Sequence, residues 1–76
     1  MRKIKDSFNH LPSSEINRLI DEWIHDRRNR EVLRLALLDN LTYEEISEEV
    51  SLSTQQVKSI TIKGVNNMKL HVVYSL

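Results

Sequence analysis

Two copies of one local pattern, eleven residues apart, constrain this chain more than any other feature. Thr42 is followed three residues later by Glu45, and Ser53 by Gln56. Each is the signature of a capping box, in which the hydroxyl oxygen accepts the amide N–H of the third helical residue and that residue's side chain reaches back to the cap amide. Leu41 with Ile46, and Leu52 with Val57, stand at the spacing of the hydrophobic staple that fixes how the chain enters a helix. Helices therefore start at Thr42 and at Ser53. The first has room only from Tyr43 to about Val50 before Ser51 and Leu52 lead into the next cap. A short helix, a three-residue turn and a second helix form a helix-turn-helix corner. Ile46, Val50, Leu52, Val57 and Ile60 are the apolar residues that must meet inside it, with small Ser47 where the helices approach most closely.

The rest of the chain limits what can surround this corner. Its 76 residues suffice for one small domain, and a domain near that size buries only about 60% of the surface its unfolded chain exposes. A deep substrate cavity would consume core that so small a domain needs, so an enzyme is not expected. The local chemistry agrees. Gly64 is the sole glycine, so there is no glycine-rich phosphate loop. His10, His25 and His71 have no metal-ligand spacing, and the absence of cysteine excludes disulfides and thiolate sites. Asp21-Glu22 and Glu48-Glu49 are adjacent carboxylates, which diverge on a helix and come with no nucleophile. No catalytic residue, metal or cofactor is expected. The longest apolar run, Leu35 to Leu38, is far short of the roughly 18 residues of a membrane span, and the expectation is a soluble, cytoplasmic chain without membrane association.

The periodicity predicts an all-α, three- to four-helix bundle with helices starting near Ser14, Arg30, Thr42 and Ser53. Residues 1–12 read as a flexible basic arm carrying Arg2, Lys3 and Lys5, with Phe8 and Leu11 available to tuck against the body. Residues 13–76 read as a single domain. Pro12-Ser13-Ser14-Glu15 is a helix start with a serine cap, and Ile16, Leu19, Ile20, Trp23 and Ile24 form an apolar stripe that predicts a helix to about Arg27. Val32 to Leu38 is apolar on most sides and reads as the most buried helix, ended by Asp39-Asn40. Trp23 reads as core and the histidines as surface residues. Arg27, Arg28 and Arg30, interleaved with Asp26 and Glu31, read as ion-paired surface. The last helix either ends at Gly64 or runs through it. In the second case Val57, Ile60, Gly64 and Met68 face inward, leaving Ile62, Val65, Val72 and Val73 to pack on Trp23 or on a second chain.

Leu41-Thr42-Tyr43-Glu44-Glu45-Ile46-Ser47 through Val57-Lys58-Ser59-Ile60 resembles the helix-turn-helix of region four of bacterial sigma factors. It is also similar to the output domains of response regulators and small phage regulators. The likeness extends upstream over Arg30-Glu31-Val32-Leu33-Arg34-Leu35 and covers about residues 16–72. The resemblance implies a sequence-specific regulator of transcription that binds double-stranded DNA and reads the major groove with the helix starting at Thr54. It places Ser53, Thr54, Gln55, Lys58 and Ser59 toward the groove. Gln pairs bidentately with adenine, Lys reaches guanine acceptors and Thr meets a thymine methyl or a phosphate. Gln56, Ser59 and Lys63 would then reach sugar and phosphate. Ser51 stands where such motifs usually have glycine. Charge is divided along the chain. Residues 1–50 hold all eleven acids, and residues 51–76 hold Lys58, Lys63 and Lys69 with no acid. One module reads few base pairs, so a homodimer or a partner such as RNA polymerase is expected alongside DNA. The alternative reading is a protein-interaction module that binds RNA polymerase or another phage or bacterial protein through its acidic helices, with Glu44, Glu45, Glu48 and Glu49 as the contact face.

Overall fold

A computed structural model of the chain describes residues 11–72. Arg2, Lys3, Lys5, Phe8, His10 and Val73 lie outside the described residues. Four helices follow in order: α1 Ser13–Trp23, α2 Arg27–Leu37, α3 Tyr43–Val50 and α4 Thr54–Lys69. The all-α expectation holds, with two shifted boundaries. α1 ends at Trp23, because the Ile24 backbone turns extended after its N–H closes the last helical bond to Ile20. α2 begins at Arg27 because Asp26 is its N-cap, accepting the amide N–H of Arg28 at 2.8 Å and of Asn29 at 3.2 Å. That role also corrects the reading of Asp26 as an ion-pair partner of the arginines. Arg30 is not ion-paired either. Its guanidinium donates to the carbonyls of Ile24 and His25, tying the end of α1 to α2. No serine caps α1, whose N-cap is Pro12.

The interior has two lobes. Ile16, Leu19 and Ile20 from α1 and Ile24 just after it pack with Leu33, Val65 and Met68, and Leu11, Trp23 and Val72 lean on that cluster. Val32 and Ala36 of α2 pack with Ile46 of α3 and Val57 of α4, closed by Leu41, Val50, Leu52 and Ile60. The five corner residues expected from the two caps therefore share one cluster. Burying one such aliphatic side chain contributes roughly 1.5–3 kcal/mol, more than a cap, so packing holds the helices together while the caps set where they begin.

α4 runs unbroken through Gly64, which settles the choice left open by the sequence. Gly64 sits against α2: a Cβ added there would lie 2.5 Å from Leu33 Cδ1, and Leu33 is fully buried and has nowhere to swing. Val65 is core and Val72 packs on the first lobe, so neither is left over. Thr61, the one buried polar side chain among the described residues, donates its hydroxyl to the Val57 carbonyl at 2.8 Å. Beyond α4, the His71 ring stacks flat on Trp23, centroids 3.5 Å apart, and Asn67 donates to the Trp23 carbonyl at 2.8 Å. His71 is therefore not an ordinary surface histidine. On the solvent side Arg18 pairs with Glu15 and Glu22. Its hydrogen bond holds the Glu15 carboxyl below the usual carboxylate range, and exposed pairs of this kind contribute little stability.

Gly64→Ala sets a helix-propensity gain of about 1 kcal/mol against an overpacking cost of roughly 1–3 kcal/mol. A net loss of about 1 kcal/mol is expected in urea unfolding, reduced when Leu33→Val is added to make room. A stabilised Gly64→Ala protein would contradict the packing described.

Candidate nucleic-acid interface

The corner is built from backbone satisfaction outward. The Thr42 hydroxyl accepts the Glu45 amide at 3.1 Å while Glu45 accepts the Thr42 amide at 2.8 Å, and Ser53 and Gln56 repeat the exchange at 3.1 and 3.0 Å. Between the boxes the chain must reverse within three residues. Ser51 does so in the left-handed region, φ 59° and ψ 40°, and the Ser47 carbonyl accepts the amides of both Ser51 and Leu52. This is where the missing glycine would have removed Cβ strain.

Burial then decides which side of α4 is presented. Val57, Thr61, Gly64, Val65 and Met68 are its buried residues. At 3.6 residues per turn, Gln55, Ser59, Lys63 and Asn66 fall opposite that stripe. Gln56 falls toward one flank, Lys58 and Lys69 on the other, and all seven are exposed. Ser53 and Thr54 are exposed at the tip of the helix, beside the turn. Each of the seven residues singled out from the sequence thus lies at the surface. They do not form one face, since Lys58 lies on a flank while Lys63 points outward. Ser53 and Gln56 also have part of their hydrogen-bonding capacity committed to the cap. Asn66, on the outward line, was not among the candidates, because its inclusion depends on α4 continuing past Gly64.

α3 carries the opposite charge. Glu44, Glu45, Glu48 and Glu49 are exposed; Glu44 and Glu48 fall opposite Ile46, Glu45 and Glu49 on its flank, and none forms an ion pair among the described residues. No group of three or more potential metal ligands occurs among the described residues, and no described helix is long and apolar enough to cross a membrane.

Two capped helices meeting in a three-residue turn, braced by a helix before them and with a polar, acid-free second helix, define a DNA-binding helix-turn-helix domain. The profile of the family described as sigma-70, region 4, matches residues 26–70, from the cap of α2 to the end of α4, and the chain belongs to that family. The family is a DNA-binding, transcription-related domain and not an enzymatic one. No curated protein and no solved structure matches the chain. α1 lies outside the matched residues but supplies much of the first core lobe.

Ser51→Gly should raise stability by about 1 kcal/mol by relieving left-handed strain, less the extra entropy of an unfolded glycine. Ser53→Ala should lower it by about 1 kcal/mol, with Ser53→Asp keeping most of the wild-type stability because aspartate caps equally well. Thermal unfolding followed by circular dichroism measures all three. A Ser53→Asp protein no more stable than Ser53→Ala would show that the cap is not what the serine supplies.

Proposed function

We propose that this protein regulates transcription by binding double-stranded DNA with α4 in the major groove. Thr54, Gln55 and Lys58 read base edges, while Ser53, Gln56, Ser59 and Lys63 hold sugar and phosphate. The observation that carries the reading is the residue distribution on α4. Its core-facing stripe is used in packing, its exposed residues are hydrogen-bonding or cationic without a single acid, with Ile60 and Ile62 half-buried beside them, and it follows directly on a tight turn. Amide and hydroxyl side chains at that end suit base edges, which offer both donors and acceptors. Lys63, exposed on the outward side of the helix, suits contact with the sugar-phosphate backbone.

Among the acids of α3, Glu44 and Glu48 leave the helix opposite Ile46, the residue that packs with Val57 of α4, and so point away from α4. Their unpaired state is what favours a second reading, a basic protein partner such as RNA polymerase docking on Glu44 and Glu48 while α4 holds the promoter. The two surfaces are separate and can act at once.

Gln55→Ala with Lys58→Ala should leave the helical circular dichroism signal intact and abolish preference for a selected duplex over a scrambled one, each lost base contact costing about 1–3 kcal/mol. Duplexes enriched by selection from a random pool supply the target. Unchanged selectivity in the double variant, with Glu44→Lys and Glu48→Lys abolishing capture of polymerase, would leave only the protein-interaction reading.

A further inference from the structure

Between the α1–α2 connector and the middle of α4 runs an open trough of about 440 Å³, within the range that holds small ligands. Trp23, Ile24, Ile60 and Gly64 give it an apolar lining. Two of its lining residues are charged, and they are of opposite sign. Lys63 stands on the α4 bank and Asp26 on the connector bank, both exposed. They do not pair with each other, and neither has another ion-pair partner among the described residues.

Asp26 is half committed. Its Oδ1 accepts the backbone N–H of both Arg28 and Asn29, and its Oδ2 accepts no hydrogen bond from the described residues. The capping role therefore holds the carboxylate in place and leaves one oxygen for an external donor. Opposite charges set apart over an apolar lining restrict what can settle there. A simple anion is repelled by Asp26, a simple cation by Lys63, and a purely apolar molecule covers both charges without pairing either. A molecule with one ammonium, one carboxylate and an apolar body is opposed by neither bank.

We infer that this trough is a seat for a small zwitterion with an apolar side chain, a free amino acid or a dipeptide. Its carboxylate meets Lys63, its ammonium meets Asp26 Oδ2, and its side chain lies on Ile24 and Ile60. The seat does not depend on how α4 meets DNA. Its consequence does: Lys63 is proposed above to hold sugar and phosphate, so a seated zwitterion and a DNA strand compete for one ammonium.

Trp23 is the only tryptophan of the chain and lines the trough, so its fluorescence reports occupancy. The whole protein is titrated, without DNA and at fixed ionic strength, with L-leucine and with L-leucyl-L-leucine. At least one should give a saturable change in emission, with a midpoint at about millimolar concentration, as expected of a ligand of few atoms in an open site. The N-acetylated and C-amidated forms of the better probe, each lacking one charge, should bind about three- to tenfold more weakly, and glycine, which lacks the apolar body, more weakly still. Asp26→Asn keeps a cap-competent side chain. It should weaken the better probe about three- to tenfold and leave the N-acetylated form unchanged, because that form has no ammonium to lose. Lys63→Met should act in the same way on the better probe and its C-amidated form. Asp39→Asn, beyond the far end of α2, should titrate like the wild type, and circular dichroism checks that each variant is folded. No saturable change with either probe, or Asp26→Asn and Lys63→Met both titrating like the wild type, would overturn the inference and leave the DNA reading of α4 untouched. Equal weakening in Asp39→Asn and Asp26→Asn would reduce the effect to overall charge and overturn it as well.

Discussion

The burial of Val57 against Val32, Ala36 and Ile46 is the contact on which the rest of the molecule depends. A helix can roll about its axis at little cost until its apolar stripe finds a partner. Once Val57 is locked, the 3.6-residue repeat sends Thr61, Gly64, Val65 and Met68 inward and Gln55, Ser59 and Asn66 outward. Caps at Thr42 and Ser53 determine where α3 and α4 start, and the left-handed Ser51 determines how sharply they diverge. Neither sets the roll of α4. The five buried residues on one side of a helix therefore decide which polar side chains another molecule can meet.

α1 has a different task. Residues 26–70 carry the family's helices, but their inner surface leaves Leu33, Val65 and Met68 to be covered. Ile16, Leu19 and Ile20 cover them, and three polar ties fasten the arrangement at one end: Arg30 to the carbonyls of Ile24 and His25, Asn67 to that of Trp23, and the His71 ring flat on the Trp23 indole. The connector so fixed, Ile24 to Asp26, also lines an open trough against Ile60, Lys63 and Gly64 of α4. The same contacts that hold α1 in place thus position the α2 terminus relative to α4, which links the stability of the domain to the geometry of its outer surface.

Much of this was legible in the sequence because it is local. A capping box needs only residues three apart, so the starts of α3 and α4 could be read directly, and the corner core followed from the staples. Boundaries set by longer-range contacts were not legible. Asp26 looked like an ion-pair partner because i, i+4 charges were nearby, yet an aspartate two residues ahead of a free amide finds a stronger use as a cap. The stack of His71 on Trp23 joins residues at opposite ends of the domain, and nothing in local spacing announces it. Whether α4 crossed Gly64 depended on whether a neighbour needed that space, which Leu33 does. The polar surface of α4 was readable as a set of residues, but its division into an outward line that includes Lys63 and a flank that carries Lys58 and Lys69 required the buried stripe to be known.

The central claim is that the outward surface of α4 is what meets DNA. Backbone amide chemical-shift mapping tests it most directly, by titrating isotopically labelled protein with a selected duplex at moderate salt. The account predicts that the largest shifts fall on Thr54, Gln55, Ser59, Lys63 and Asn66, with Glu44, Glu48 and the solvent side of α1 nearly still. Shifts concentrated on the acidic side of α3 or on α1, with α4 unmoved, would contradict it.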